Sequence, residues 1–154
     1  MQTFLPFADF QASARSLDRA RLGKQRVECK QIVLALEAKA RGERAGWQNH
    51  PAVRMWEGFI PCLCEYALAV CLEWQRRGYL DNLTGFFEER TTQAAGQRPP
   101  WLGREDVHAS HRARLLQKLP DYYRAQGWTE APCGPEGYVW PRQLQPDPNG
   151  LTEP

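Results

Sequence analysis

Residues 17–28 read LDRARLGKQRVE, a basic segment that lies close to the amino terminus of the chain. Side chains spaced i, i+3, i+4 and i+7 lie on one face of a helix. The residues with this spacing here are Arg21, Lys24, Gln25 and Glu28. The segment therefore predicts a helix with a polar and largely cationic face, which suits a polyanion better than a hydrophobic core.

The composition indicates one globular domain. The chain has 154 residues, of which 42% are hydrophobic and 11% aromatic, and this is enough to build a core. The net charge of +2 is too small to indicate a nucleic-acid partner, so the argument depends on where the charges lie. Between residues 15 and 30, six Lys and Arg residues face two acidic ones, and this local excess favours nucleic acid.

Other classes of protein are excluded by what the sequence lacks. No apolar run approaches the roughly 18 residues that a membrane span needs, and the first residues have neither the basic region nor the cleavage site of a signal peptide. Five cysteines without C-x-x-C spacing fit neither a disulfide framework nor a zinc site. We therefore expect a cytoplasmic, nucleoid-associated protein with reduced cysteines and no membrane contact.

The hydrophobic residues repeat with the period of a helix and not of a strand, which predicts an all-α fold. We expect a compact single-domain bundle over residues 1–144. It begins with an extended arm over residues 1–8, ends with an irregular tail from Gly127, and leaves residues 145–154 flexible.

The first helices are delimited by polar residues and glycines. Asp9 is the expected N-cap of a short helix that ends near Asp18. A longer helix follows over residues 21–40 and stops at Gly42, and Gly23 marks a possible kink between the two. The apolar stripe of the longer helix consists of Leu22, Cys29, Ile32, Val33 and Leu36.

The second half of the chain predicts four further helical segments. Residues 52–78 are strongly apolar and are interrupted at Pro61, so they form two consecutive helices or one kinked helix, with residues 63–74 at the centre of the core. A helix capped by Asp81 or Asn82 runs to about Ala95. Beyond a Gly- and Pro-rich loop, the remaining predicted helices are residues 105–119 and a short one that opens at Pro120.

A second basic helix carries histidines as well as cations. Its segment, VHASHRARLLQK at residues 107–118, favours phosphate contacts by Arg112, Arg114 and Lys118. His108 and His111 are spaced as helical neighbours, but no third metal ligand is identifiable nearby. We therefore predict no metal and no cofactor.

Three further features leave alternatives open. The loop WQNHP at residues 47–51 reads a base or phosphate, or it is an ordinary capping loop. An α-amine is in general a weaker base than a lysine side chain, which makes the amino terminus a possible nucleophile. The late aromatic residues stack on bases or pack in the core; they are Trp101, Tyr122, Tyr123, Trp128, Tyr138 and Trp140.

The chain resembles the pyrimidine-dimer DNA glycosylase/AP-lyase superfamily, and in particular its short bacterial branch. The segments that carry this resemblance are residues 17–28, HPAVRMW at 50–56, SHR at 110–112 and YVWP at 138–141. A weaker similarity to the characterised phage enzyme covers Arg26-Val27, residues 77–79 and residues 113–118.

The resemblance implies an all-α enzyme whose N-terminal amine attacks C1′ of a damaged nucleotide and releases the base. The resulting Schiff base then permits strand cleavage, while a helix glutamate stabilises the charged intermediate. Basic side chains hold kinked DNA around a flipped nucleotide. By position, Arg26, Arg114 and Lys118 match the DNA-binding residues.

The chain departs from the family pattern at two positions. In the simplest gapless alignment, Gly23 occupies the place of the catalytic glutamate, which leaves Asp18 and Glu28 as candidates for that role. The second residue is Gln2, whose bulk generally blocks removal of the initiator methionine. The reacting amine would then belong to Met1, unless the Gln2 amine is exposed and cyclises, which would destroy the nucleophile.

We interpret the chain as a monomeric DNA-repair-type glycosylase and AP lyase that acts on damaged pyrimidines in duplex DNA. Two alternatives remain: a non-catalytic binder of DNA or of a modified base or nucleotide, and an enzyme on a small nucleotide-like substrate with His111 or His50 as acid/base. The candidate catalytic residues are Met1, Gln2, Glu28 and Asp18. The candidate DNA-binding residues are Arg21, Lys24, Gln25, Arg26, His50, His111, Arg112, Arg114 and Lys118.

Overall fold

The computed structural model describes residues 1–91 and 97–141, and within these residues it contains α-helices, one 3-10 turn and no strand. The helices are α1 Phe10–Ser16, α2 Arg19–Ala40, α3 Pro51–Arg54, α4 Ile60–Arg76, α5 Thr84–Thr91, α6 Glu105–Lys118 and α7 Pro120–Arg124, and the 3-10 turn is Pro135–Gly137. The predicted all-α fold class is confirmed. The predicted end of α5 at Ala95 and the flexible tail over residues 145–154 lie outside the described residues, and the single-domain boundary at residue 144 stays a prediction.

The junction between α1 and α2 is set by capping aspartates. Asp9 accepts a hydrogen bond from the Ala12 amide at 2.7 Å, which confirms it as the N-cap of α1. Asp18 accepts from the Arg21 amide and starts α2. The chain therefore breaks at Leu17–Asp18, and the expected kink at Gly23 is wrong.

Gly23 has a packing role inside α2. A Cβ atom at this position would lie 2.9 Å from Cη2 of Trp74. The indole is held in place because its Nε1 donates to the Leu80 carbonyl at 3.1 Å and its ring packs against Tyr79. The glycine thus permits a close approach of α2 to α4, and the position faces the core.

Helix α4 is the centre of the core and packs against α1, α2 and α5. The apolar stretch of residues 52–78 forms two consecutive helices, which was one of the two predicted alternatives. The break lies over residues 55–59, with Gly58 at φ +85°, and Pro61 stands in the first turn of α4, where its missing N–H costs nothing. No helix in the described residues is long and apolar enough to cross a membrane.

The N-terminal arm is inserted among three helices. The Phe4 amide donates to Gln25 of α2 at 2.9 Å, and the Phe4 carbonyl accepts from the Tyr66 hydroxyl of α4. Two histidines of α6 hold the next residue. His111 Nδ1 accepts from the Leu5 amide at 3.0 Å, and His108 Nδ1 lies 2.8 Å from the Leu5 carbonyl.

The His108 ring nitrogens have defined roles. The Gly103 amide donates to Nε2 at 2.9 Å, which leaves Nδ1 as the donor to Leu5. The N–H and the carbonyl of Leu5 are therefore both hydrogen-bonded to side chains of α6. The arm carries the first residues of the chain through the core in a fixed register.

Candidate active site

A cavity of about 470 Å³ opens where the arm, α2, α6 and the segment after the 3-10 turn meet. Its wall combines the start of the chain, the polar face of α2 and one side of α6. The residues that line it are Met1, Gln2, Phe4, Ala20, Arg21, Lys24, Gln25, Glu28, His50, Arg114, Lys118, Pro135, Tyr138 and Trp140.

The cavity brings together most of the site residues predicted from the sequence. Two candidate regions that are far apart in the chain, residues 21–28 and residues 114–118, line one cavity together with the amino terminus. The predicted residues found here are Met1, Gln2, Glu28, Arg21, Lys24, Gln25, His50, Arg114 and Lys118.

Gln25 ties the arm to α2 through both ends of its side-chain amide. Its Oε1 accepts from the Phe4 amide at 2.9 Å and from the Tyr66 hydroxyl at 3.1 Å. Its Nε2 donates to the Gln2 carbonyl at 2.9 Å and to Glu28 Oε2 at 3.2 Å. The side chain is 1% exposed, so these four bonds satisfy a buried amide completely. Gln25 was predicted to contact DNA, whereas this geometry makes it a support for the arm.

Glu28 is the acidic group of the cavity. It is 7% exposed, and its Oε2 lies 3.5 Å from the main-chain nitrogen of Gln2. Its other oxygen, Oε1, lies 3.5 Å from Lys24 Nζ. The carboxylate is therefore oriented by Gln25 and Lys24 next to the start of the chain.

Positions 23 and 28 lie on different sides of α2. Position 23 faces Trp74 of α4, while Glu28 faces the cavity. Gly23 is thus a packing residue, and the α2 side chain beside residue 2 is Glu28.

Four cations line the cavity: Arg21, Lys24, Arg114 and Lys118. The pKa of Lys118 is lowered, first by partial burial and then by the positive charges of its three cationic neighbours, while Glu28 opposes the shift. Cations near enough to lower the pKa of Lys118 lie near enough to it to attract an anion jointly. This cluster suits phosphate groups.

His50 connects the cavity to a neighbouring loop. Its Nδ1 accepts from the Ala52 amide at 3.0 Å and caps α3. Burial and the nearby terminal amine lower its pKa, so the ring is neutral near pH 7. Trp47, at φ +71° and 60% exposed, stands against it with the two ring centroids 5.8 Å apart. The loop therefore both caps a helix and presents an indole at the edge of the site.

Asp18 and Arg26 were predicted in the site, but they do not line the cavity. Asp18 is 6% exposed, caps α2 and accepts a hydrogen bond from the Tyr123 hydroxyl, so it cannot serve the terminal amine. Arg26 donates to Asp81 at 2.7 Å, and its guanidinium lies over the Trp74 ring. Both residues hold helices together.

His111 and Arg112 were also predicted to contact DNA, and both are buried. Burial lowers the pKa of His111 to about 3, with further lowering by His108 and Arg112, so the ring is neutral and accepts from the Leu5 amide. Arg112 binds the Pro6 carbonyl at 2.6 Å and pairs with Glu105 and Glu130. The expected phosphate contact of Arg112 is replaced by three internal partners.

Two aromatic residues outside the predicted site, Tyr138 and Trp140, form part of the cavity wall. Tyr138 packs edge-on against His111, and Trp140 packs against Tyr138. The Val139 amide donates to the Ser110 hydroxyl at 3.1 Å and holds this segment on α6. The sequence signal for this wall is the YVWP segment at residues 138–141. Among the described residues, no group of His, Cys, Asp and Glu could hold a metal.

Comparison with known proteins shows the family of the chain. The sequence model of one family, described as pyrimidine dimer DNA glycosylase, matches residues 1–84, which include the arm, α2 and Glu28. Since this is more than half of the chain, the protein belongs to the pyrimidine dimer DNA glycosylase family. No curated protein and no solved structure matches the chain.

Proposed function

We propose that the protein is a DNA glycosylase with AP-lyase activity that acts on damaged pyrimidines in duplex DNA. One observation carries the proposal: the start of the chain, a buried glutamate and four cations line the same cavity. An amine nucleophile, an acid/base group and phosphate-binding charges are the three components that this chemistry needs.

In the proposed reaction, the α-amine of Met1 attacks C1′ of the damaged nucleotide. The bond between C1′ and the base nitrogen breaks, and the departing base takes up a proton. The amine loses its proton to Glu28, which passes it to O4′ as the bond between C1′ and O4′ breaks and the sugar ring opens. The carboxylate that this restores stabilises the iminium that joins Met1 to C1′. Loss of a proton from C2′ expels the 3′ phosphate and cleaves the strand.

The cations have a separate task in this proposal. Arg21, Lys24, Arg114 and Lys118 bind the phosphates on either side of the extruded nucleotide and balance the charge of Glu28. Because such contacts release counterions, binding of DNA weakens steeply as salt rises.

Borohydride trapping tests the mechanism. The protein is incubated with duplexes that contain a thymine dimer or an abasic site, the Schiff base is reduced, and the adduct is mapped by mass spectrometry. We expect wild-type protein to form the adduct on residue 1. We expect the Glu28→Gln variant to form less of it. An adduct on Lys118, or none on either duplex, would contradict the amine mechanism.

A second candidate function is favoured by the cavity volume. A space of about 470 Å³ accommodates one nucleotide without its duplex. The protein would then bind or convert a free nucleotide, with the Nε2–H of His50 as a hydrogen-bond donor near the terminal amine, because Nδ1 already accepts from the Ala52 amide. Titration with duplex DNA and with thymidine monophosphate over a salt series separates the two, since only duplex binding should show a steep slope.

A further inference from the structure

The segment HPAVRMW at residues 50–56 has no task in the proposed reaction, although both of its ends lie close to the start of the chain. Its first residue, His50, lines the cavity together with Met1, and partial burial and then the charge of the terminal amine lower the pKa of its imidazole. At its last residue, Nε1 of Trp56 donates to the Thr3 hydroxyl at 2.9 Å. The segment therefore lies close to the chain on either side of Gln2.

The Trp56 indole is a fixed donor. The residue is fully buried, and its ring packs edge-on against Trp101 with the two ring centroids 4.9 Å apart. Trp101 is held in turn, because its Nε1 donates to the Met55 carbonyl at 2.9 Å. A buried indole N–H nearly always has an acceptor. The core therefore sets the direction of the Trp56 N–H, and the Thr3 oxygen is the acceptor that satisfies it.

Thr3 is a polar residue with no exposed surface. Valine has nearly the same shape, so packing alone does not require a hydroxyl at this position, whereas the Trp56 N–H does. The residues before and after it, Gln2 and Phe4, line the cavity, and Thr3 does not. The arm thus turns Thr3 away from the cavity and toward Trp56, as an extended chain does with alternate side chains.

The contacts along the arm hold different groups. Gln25 binds main-chain groups, namely the Gln2 carbonyl and the Phe4 amide. Trp56 instead binds the side chain of Thr3, which lies between them and faces another way. Bonds from one side permit the arm to turn about its own axis, and a bond from another side opposes that rotation. The direction of the terminal amine therefore depends on the bond between Trp56 and Thr3.

We propose that Trp56 is a positioning residue for the nucleophile: by holding the Thr3 hydroxyl, its indole N–H fixes the direction in which the arm presents the α-amine of Met1 to the cavity. The placement of the amine is a property of the free protein. Its effect on the reaction rests on the proposed function, because only an amine that reacts needs a fixed direction. A displacement of about 1 Å is enough to slow such a reaction roughly 10²-fold.

The first measurement needs no DNA. Formaldehyde with cyanoborohydride methylates accessible amines, and mass spectrometry gives the rate at residue 1, with the exposed Lys39 of α2 as the internal reference. Thr3→Val removes the hydroxyl with little change of shape, and Thr3→Ser keeps it. We expect methylation of the α-amine to be several-fold faster in Thr3→Val than in wild-type protein, because Met1 packs against the core while the arm is held. Thr3→Ser should restore the wild-type rate.

The second measurement compares two buried tryptophans by the rate of borohydride-trapped adduct on an abasic duplex and by the affinity for that duplex. Trp56→Phe removes the donor to the arm. Trp101→Phe makes the same change in the adjoining ring, whose N–H serves Met55, and is the matched control for lost packing. Under conditions in which both variants are folded, we expect Trp56→Phe to slow adduct formation by roughly 10- to 100-fold without loss of affinity, and Trp101→Phe to keep the wild-type rate.

A merely structural role would affect the two tryptophan variants alike, so equal slowing in both would overturn the inference. Wild-type rates of methylation and of trapping in Thr3→Val would overturn it as well, and this variant decides the question if Trp56→Phe does not fold. If wild-type protein forms no adduct on DNA, the proposed function fails, while the methylation rates still decide whether Trp56 places the amine.

Discussion

The main-chain nitrogen of Gln2 lies 3.5 Å from Oε2 of Glu28, although 26 residues separate them in the sequence. The Gln25 amide bonds to both residues and fixes the relationship. The start of the chain and the carboxylate are therefore positioned before any ligand arrives, and no rearrangement is needed to bring them together.

Glu28→Gln should lower the rate of base release by roughly 10²- to 10⁴-fold, because the amide can neither accept the amine proton nor stabilise the iminium. DNA affinity should fall little, since the cations remain. Single-turnover rates and binding curves for the same duplex measure the two effects. A parallel loss of affinity and rate would indicate that Glu28 is structural. Glu65→Gln, at a residue of α4 that does not line the cavity, is the control.

Gln25→Leu should lower the free energy of unfolding by about 2–4 kcal/mol, because it leaves the Phe4 amide and the Gln2 carbonyl buried without partners. Urea unfolding measures the change. Gln31→Leu makes the same substitution at an exposed position of the same helix and should have little effect. Equal stability of the two variants would show that Gln25 does not support the arm.

His111→Asn should reduce the acid sensitivity of the fold. The pKa of His111 is about 3 in the folded protein and near 6.5 in the unfolded chain. Below pH 6.5 the unfolded chain takes up a proton that the folded protein refuses, so the free energy of unfolding falls by up to about 1.4 kcal/mol for each pH unit. The contribution of neutral His111 to the free energy of unfolding is complete above pH 6.5 and is lost as the pH falls.

The asparagine oxygen can still accept from the Leu5 amide but does not titrate. Denaturant unfolding between pH 6.5 and pH 5 compares the two proteins above the range in which carboxylates protonate. If the free energy of unfolding fell equally with pH in wild-type protein and in His111→Asn, the assignment of this acid sensitivity to His111 would be contradicted.

Arg114→Ala and Arg26→Ala should separate DNA binding from stability. Arg114 lines the cavity, so its loss should weaken binding similarly across sequences and reduce the salt slope by about one phosphate contact. Arg26 neutralises Asp81, whose side chain is fully buried, so its loss should destabilise the fold and leave the salt slope unchanged. A lower salt slope for a folded Arg26→Ala variant would support the DNA contact that the sequence predicts for Arg26.

Gly23→Ala should lower the free energy of unfolding by about 1–3 kcal/mol, because the added methyl meets the fixed Trp74 ring at 2.9 Å. Gly46→Ala is the comparison, since nothing lies within 4 Å of a Cβ there. Thermal or urea unfolding of the two variants measures the difference in stability. A neutral Gly23→Ala would mean that α2 and α4 can separate without cost.

The helices were predictable because their signals are local. Asp9, Gly42 and Pro120 act within one turn of their own positions, and the apolar stripe of α2 follows from its period. The break between α1 and α2 lies at Leu17–Asp18 and not at Gly23, where the sequence predicted a kink. A glycine in a helix has two explanations, a bend or a close contact, and only the position of Trp74 distinguishes them.

The candidate site was predictable to the extent that it follows helix faces. Arg21, Lys24 and Glu28 share a face by spacing alone. The sequence does not show which cations already have partners: Arg112 meets Glu130 only after α6 and the later segment fold together. Helical spacing gives the direction of a side chain but not what stands opposite it.

The hold on Leu5 by His108 and His111 makes the length of the arm a stricter constraint than its composition. In an extended chain, neighbouring side chains point in opposite directions, and each residue adds about 3.4 Å. Deleting one residue before Leu5 would exchange the directions of the side chains in front of it and withdraw the first nitrogen from the cavity. Substitutions in the arm alter what the site contacts, whereas insertions and deletions remove the site.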